Sequence, residues 1–352
     1  MNPPTSTDRL LVLAPHPDDE ALACGGLIQR AFAAGAKVRV IFATSGDNNP
    51  WPQRFVENRW QMMPNDRARW GARRREESRR AIELLGGTRD MARFLNFPDQ
   101  GLTRLLMVAS ELVMAELTAE LVNWQPTLIV GPALGDRHAD HSALHVLLRL
   151  SLAASRISGY AIHDYLVHPG IGKTLRRGRG LALTAREVKC KLAAILCHET
   201  QMILSRGRFT AYAQSEEWYQ STAAEQLSGS SELGGTSVCR NGIVRLILHG
   251  RKPIRSQGQL LIVGLDTEGK TVCWSIVLPK TSGLVHLQDE RTAAIFHRAT
   301  VRYERDAMEV ALPARGISTS ARIYIRLPSQ SLFPRSPGWS EVCPQLAVSP
   351  PQ

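Results

Sequence analysis

The stretch LLVLAPHPDDE, Leu10 to Glu20, sets the architecture. Five apolar residues in a row, Leu10–Ala14, suit a short strand buried on both faces. Pro15 and Pro17 restrict the backbone on either side of His16, so its side chain is held rather than mobile. Over residues 18–34, Ala21, Cys24, Ile28, Ala31 and Phe32 then recur at helical spacing, and Gly35 stands where a C-cap is expected. The acidic run falls on the first helical turn, where free N–H groups and the dipole favour carboxylates.

The same alternation continues downstream. Strands are expected at Lys37–Ala43, Met91–Leu95, Thr127–Gly131 and Gly159–Val167. Helices are expected at residues 67–85, Thr103–Trp124, His141–Ala154 and about Thr184–Leu204. Such alternation predicts an α/β unit over residues 1–224, a Rossmann-like, mostly parallel sheet with helices on both faces. From residue 225 the texture changes. Residues 225–237 read as a linker, Ser- and Gly-rich at Ser228–Ser237. Short β-rich runs follow, among them Ile243–Leu248, Leu260–Leu265, Thr271–Leu278 and Met308–Leu312. They predict a small all-β, sandwich-like accessory domain over 238–333, with a loose Pro- and Ser-rich tail at 334–352.

The 352 residues carry 43 Lys and Arg against 32 Asp and Glu, a net charge of +11, which favours an anionic partner. No run of 18 apolar residues occurs, so no transmembrane helix is expected. The start of the chain does not resemble a secretory leader, and the expected location is the cytoplasm. The six cysteines form no C-x-x-C pair and read as thiols.

Two segments carry chemistry. Pro15-His16-Pro17-Asp18-Asp19-Glu20 follows the first strand, and Asp136-Arg137-His138-Ala139-Asp140-His141 follows the fourth. Both loops lie at the carboxyl edge of a parallel sheet, where ligands bind. Taken singly, each also suits a polar helix N-terminus. Taken together, they can supply three His and Asp ligands and leave a fourth position open, the pattern of a catalytic metal site.

PHPDDE followed by the later HADH resembles the PIG-L/LmbE-like zinc deacetylases, over about residues 9–222. Pro15 stands where the family usually has Ala. Further similarity lies in Arg74-x-x-Glu77, in Phe94–Asp99 and in Lys189–Gln201. The resemblance implies a hydrolase of carbohydrate metabolism that removes the N-acetyl group from an N-acetylglucosamine-type amino sugar in a glycan or glycoconjugate. It implies that His16, Asp19 and His141 hold zinc, or another divalent ion. It makes Asp18 the general base, His138 the imidazole that stabilises the oxyanion and Asp140 the carboxylate that orients the histidines. It places Arg74 and Asp99 near the substrate.

The basic balance, with seven arginines in Arg67–Arg80 and a second basic run at 173–179, suits an anionic glycan, a nucleotide sugar or a glycolipid, as in polysaccharide biosynthesis. It leaves peripheral membrane contact open. Solvated helix faces would account for the same arginines. No nucleic-acid motif accompanies the charge, and no nucleic-acid partner is expected. G-x-G-x-x-G is absent from the first loop, against a dinucleotide site. The alternative function on the same fold is a catalytically inactive glycan-binding protein. The long loop Ser45–Asn65 reads as a lid whose Trp51 and Trp60 either stack on sugar rings or form a local plug, and Trp339 as a sugar platform or an inter-domain plug. The oligomeric state is not encoded in any motif.

Overall fold

A computed structural model describes residues 1–169, 178–221, 233–250, 258–314, 316–318, 322–327 and 338–344. Most of the second basic run (173–177), the first part of the expected linker (225–232) and parts of the expected tail (334–337 and 345–352) lie outside these residues.

The first unit runs β1 (Arg9–Ala14), α1 (Asp19–Ala33), β2 (Lys37–Thr44), α2 (Pro50–Glu57), α3 (Pro64–Leu84), β3 (Ala92–Phe97), α4 (Leu102–Val108), α5 (Ser110–Trp124), β4 (Leu128–Pro132), α6 (Ala139–Ser155), β5 (Ala161–Tyr165), β6 (Arg179–Ala182), α7 (Ala185–Leu196), α8 (Glu199–Thr210) and β7 (Glu216–Ser221). Its sheet has the order β3-β2-β1-β4-β5-β7-β6. The first five of these strands are parallel, and β7 joins antiparallel to both β5 and β6.

The all-apolar β1 explains the layers. Leu10, Val12 and Ala14 face one core, shared with Ala21, Cys24 and Ile28 of α1 and with Ala194 and Ile195 of α7. Leu11 and Leu13 face the other, shared with Val113 and Leu117 of α5 and Leu144 and Leu148 of α6. Successive strand side chains point to opposite faces, so a strand covered on both sides must be apolar throughout. β2 and β3 extend the sheet to one side of β1, whereas β4 lies on the other. The order therefore reverses between β1 and β4, and their carboxyl ends open a crevice where ligands bind in such sheets.

Two expected helices are each broken. Residues 102–124 form α4 and α5, with Ala109 at φ −148° between them. The expected helix at 184–204 divides into α7 and α8 around His198. Buried side chains fix that second break. His198 Nε2 lies 2.9 Å from Glu20 Oε1, and the Thr200 backbone N–H donates to Glu77 at 3.0 Å. The expected loop at Ser45–Asn65 contains the eight-residue α2.

The C-terminal part corrects the sandwich expectation. It comprises β8 (Leu233–Arg240), β9 (Ile243–Gly250), β10 (Gln259–Leu265), β11 (Thr271–Val277), β12 (Gly283–Asp289), β13 (Ile295–Tyr303), β14 (Ala307–Pro313), β15 (Ile323–Arg326) and β16 (Ser340–Pro344). These strands form one closed barrel in the order β10-β11-β12-β13-β14-β9-β8-β16-β15. Closure comes from β15 pairing with β10, Ile262 opposite Ile325, and from β16 bridging β15 and β8. Pairing all the way round removes the exposed edges that two separate sheets would keep. β8 begins inside the stretch read as a linker, and β16 lies inside the stretch read as a loose tail.

The barrel is not a remote appendage. Leu261 and Val263 of β10, Tyr324 of β15 and Trp339 share a core with α4–α6. Trp339 is fully buried, which makes it the plug rather than the sugar platform. Gly338 presses on the loop ahead of α6. A Cβ there would stand 2.7 Å from the Asp136 carbonyl oxygen, closer than non-bonded atoms approach.

Glu187 ties α1 to α7. It accepts from Arg30 Nε at 2.8 Å and from the Thr184 backbone N–H at 2.7 Å, closing a capping box. The Arg30 hydrogen bond, aided by Thr184, lowers its pKa to about 2 from an ordinary 4.5. A lowered carboxylate contributes stability above its unfolded-state pKa and loses it as pH falls through the folded value. Glu187→Gln should therefore cost about 1 kcal/mol at neutral pH, discounted for the partial exposure of the pair. The difference from wild type should vanish between about pH 4.5 and about pH 2 in urea titrations. A difference constant across that window would contradict this role.

Candidate metal and catalytic site

The loop after β1 is held in an unusual shape. Asp18 has φ 139° and ψ −30°, a region that residues with a Cβ rarely enter and that costs of order 1–3 kcal/mol. Three contacts hold it there. Its backbone N–H donates to Glu20 Oε2 at 3.0 Å. The other oxygen of Glu20 meets His198. Buried Arg74, from α3, donates through Nη2 to the Pro17 carbonyl (2.6 Å) and Asp18 Oδ2 (3.1 Å), and through Nη1 to the Gly46 carbonyl (2.7 Å). Burial raises the Asp18 pKa to about 7 despite the opposing Arg74 charge. A carboxylate at that value is suited to taking and returning protons near neutrality.

Asp19, on the first turn of α1, joins the two loops. Its Oδ2 accepts the His16 backbone N–H at 2.9 Å and lies 3.4 Å from His16 Nδ1 and 3.3 Å from His141 Nε2. The far side of each imidazole meets other carboxylates. His16 Nε2 is 3.2 Å from Asp99 Oδ1 and 3.3 Å from Asp140 Oδ2, and His141 Nδ1 is 3.2 Å from Asp136 Oδ2. Asp136 is itself fixed by N–H groups of His138, Val167 and His168. Asp140 accepts from the N–H groups of Gln100 and Leu102.

His138 precedes α6, and its Nδ1 accepts the Asp140 backbone N–H at 3.2 Å. Burial, reinforced by the charges of His16 and His141, lowers its pKa to about 2. His138 is thus neutral, and with Nδ1 accepting, its proton resides on Nε2.

All eight residues singled out in the sequence lie at this crevice. His16, Asp18, Asp19, Asp99, Asp140, His141 and Arg74 are buried, and His138 is half-buried. Arg74 grips the loop backbone and Asp18, and Asp99 abuts His16. Four further residues were not assigned to the site: Asp136, Glu20, His198 and His168. The His168 ring centroid is 5.4 Å from that of His138 and 4.9 Å from that of His141. Its position just after β5, at the same sheet edge, was the available signal. His145 points away from the site, with Nδ1 at 3.0 Å from the Pro132 carbonyl.

The residues fit a divalent cation. Five buried carboxylates meet four imidazoles, and such a group is costly without compensating positive charge. Although burial opposes it, Asp136 and Asp19 push the His141 pKa up to about 10, which marks a place where positive charge is favoured. Neither ring nitrogen of His141 makes a well-formed hydrogen bond, so Asp19 Oδ2 and Nε2 stand side by side rather than donor to acceptor. Their 3.3–3.4 Å spacings match the edge of a tetrahedron with bonds of about 2.0–2.1 Å. His16, His138 and His141 have ligand atoms within 4.8 Å of one another, as do Asp19, His141 and His168, and His16, Asp99 and Asp140.

Beside the cluster lies a cavity of about 1020 Å³, lined by Trp51, Arg74, Arg137, His168, Arg208 and Tyr212 among others. No helix among the described residues is long and apolar enough to cross a membrane.

Gly46 lets Arg74 close on the loop. Its φ is +61°, and an added Cβ would stand 1.9 Å from Arg74 Nη1. Gly46→Ala should displace the guanidinium and cost about 2 kcal/mol or more in urea denaturation, from lost charged hydrogen bonds and left-handed strain. Unchanged stability would contradict the clamp.

Comparison with known proteins gives a consistent picture. The family model described as "PIG-L: GlcNAc-PI de-N-acetylase" matches residues 11–151. The 1D-myo-inositol 2-acetamido-2-deoxy-alpha-D-glucopyranoside deacetylase of Nocardia farcinica is 28% identical over 174 residues, covering 46% of this chain and 57% of that protein. The protein of the same name from Mycobacterium avium is 31% identical over 148 residues, covering 38% and 48%. The chain thus spans about half the length of the curated relatives it matches. A crystal structure of the 4-carboxy-2-hydroxymuconate hydratase from Pseudomonas putida KT2440 aligns with a TM-score of 0.50 at 19% identity, over 63% of this chain and 99% of that one, a likeness of fold alone.

Proposed function

With residues 11–151 matching the PIG-L family model, we propose that this chain is a zinc-dependent hydrolase that removes the N-acetyl group from an N-acetylated amino sugar in a glycan or glycoconjugate. The observation that carries the reading is the shared Asp19 oxygen between His16 and His141, with Asp18 next in the chain. His16, Asp19 and His141 are the residues that would hold the ion. Each of the two histidines has a carboxylate against its other nitrogen, Asp140 and Asp99 behind His16 and Asp136 behind His141, an arrangement that orients metal-binding imidazoles. Bound zinc supplies an acidified water and polarisation of the amide carbonyl.

The protein groups do the rest. Asp18 accepts a proton as water adds to the carbonyl carbon. His138, neutral and protonated at Nε2, donates a hydrogen bond to the oxyanion, an interaction worth about 3–4 kcal/mol in comparable sites. The carbon–nitrogen bond then breaks, and Asp18 returns the proton to the leaving nitrogen. The products are acetate and a free amino sugar. Arg137 and Arg208 line the cavity, and neither has a carboxylate partner among the described residues. They support an anionic substrate such as an acidic glycan, a nucleotide sugar or a glycolipid, since guanidinium groups suit phosphate and carboxylate.

The test is zinc-reconstituted protein incubated with N-acetylated amino-sugar conjugates, with acetate release and loss of one acetyl group read by mass spectrometry. Asp18→Asn should retain zinc while turnover falls about 10²–10⁴-fold. His16→Ala should lose the zinc. Full activity in metal-loaded Asp18→Asn would overturn the assignment.

A further inference from the structure

Beyond the crevice, the largest unexplained feature is an apolar surface beside its mouth. On α2 and the segment leading into α3, Trp51 is 60% exposed, Phe55 70%, Val56 43%, Trp60 76% and Met63 60%. Leu204 of α8, against which α2 packs, adds a further 51%. Large side chains in such density are rarely left in water on a monomer without a partner. The patch is continuous with the site, because Trp51 lines both the catalytic cavity and a neighbouring groove formed with Arg54, Arg59, Trp60 and Met63.

The charge around it is of one dominant sign. Arg54 lies on α2, Arg59 between α2 and α3, Arg67 and Arg69 at the start of α3, and Arg206 and Arg208 near the end of α8, six arginines against Glu57 of α2 and Asp66 of α3, which pair with Arg59 and Arg69. Among the described residues only Arg59 and Arg69 of these six have carboxylate partners. Amphipathic Trp side chains, exposed aliphatic groups and arginines side by side are what an interface between acyl chains and anionic headgroups accommodates.

We propose that this surface docks on an anionic phospholipid bilayer, with Phe55, Trp60 and Met63 entering the headgroup–acyl boundary and the arginines meeting lipid phosphates, so that the crevice faces substrates displayed at the membrane. A sugar chain is the less suitable occupant. Arg54 already covers both indoles, 5.1 Å from the Trp51 ring and 5.5 Å from the Trp60 ring, and Phe55 and Val56 lie outside the groove a sugar would fill. The inference rests on the proposed activity only for what the docking serves. Docking itself requires no turnover.

The experiment is sedimentation of the full chain with vesicles of phosphatidylcholine alone, or of phosphatidylcholine with roughly a third phosphatidylglycerol. Wild type and Asp18→Asn should both partition onto the anionic vesicles and much less onto the neutral ones. A Phe55→Ser/Trp60→Ser double variant, with an unchanged far-ultraviolet spectrum and melting temperature, should bind them about tenfold or more weakly. Absence of vesicle binding, or binding equal in the double variant, would overturn the proposal and leave the deacetylase reading untouched. It is equally overturned if Phe55 and Trp60 govern a dimer of the chain in light scattering, or soluble oligosaccharide binding, without affecting vesicles. Loss of acetate release with vesicle binding intact would strike the activity alone.

Discussion

One carboxylate oxygen, Asp19 Oδ2, stands between imidazoles from two loops that are more than a hundred residues apart in the chain. Bringing His16, His141 and five carboxylates together out of water is unfavourable unless charge is balanced and each group is held. Much of the surrounding structure does that holding. β1 is covered on both faces, so the loop it launches has a rigid origin. Arg74 neutralises Asp18 and grips two loop carbonyls, and the His198–Glu20 pair supports the Asp18 backbone from behind. The cost of an improbable Asp18 conformation is thereby spread over α3 and the junction of α7 and α8.

The barrel belongs to the same construction. Gly338 touches the Asp136 backbone, Trp339 fills the core beneath α6, and burial lowers the pKa of Arg326 against the opposing charge of Asp140. A strand-rich unit that shares its core with the helices behind the second loop braces that loop.

How much of this was legible follows from the range of each interaction. The strands and helices of the first unit announce themselves through local periodicity, and the paired loops through residue type at strand ends. The break at Ala109 carries no proline or glycine, so the pattern across 103–124 reads as continuous. His168 stands alone in sequence, and only the sheet brings it beside His138 and His141. Asp136 sits in the quoted run, but spacing cannot tell which aspartate faces His141. Structure puts Asp136 there and Asp140 against His16. Barrel closure was illegible for the same reason. The pairs β10–β15 and β8–β16 join residues far apart, and the short SEVCP strand lies in a Pro-rich stretch that looks like tail.

The most direct measurement is anomalous diffraction at the zinc absorption edge from crystals of the full chain grown with zinc. A single peak within bonding distance of His16 Nδ1, Asp19 Oδ2 and His141 Nε2, with Asp18 unligated beside it, is the expected result. A crevice that stays metal-free, or an ion held by His16, His138 and His141 with Asp19 turned away, would contradict it.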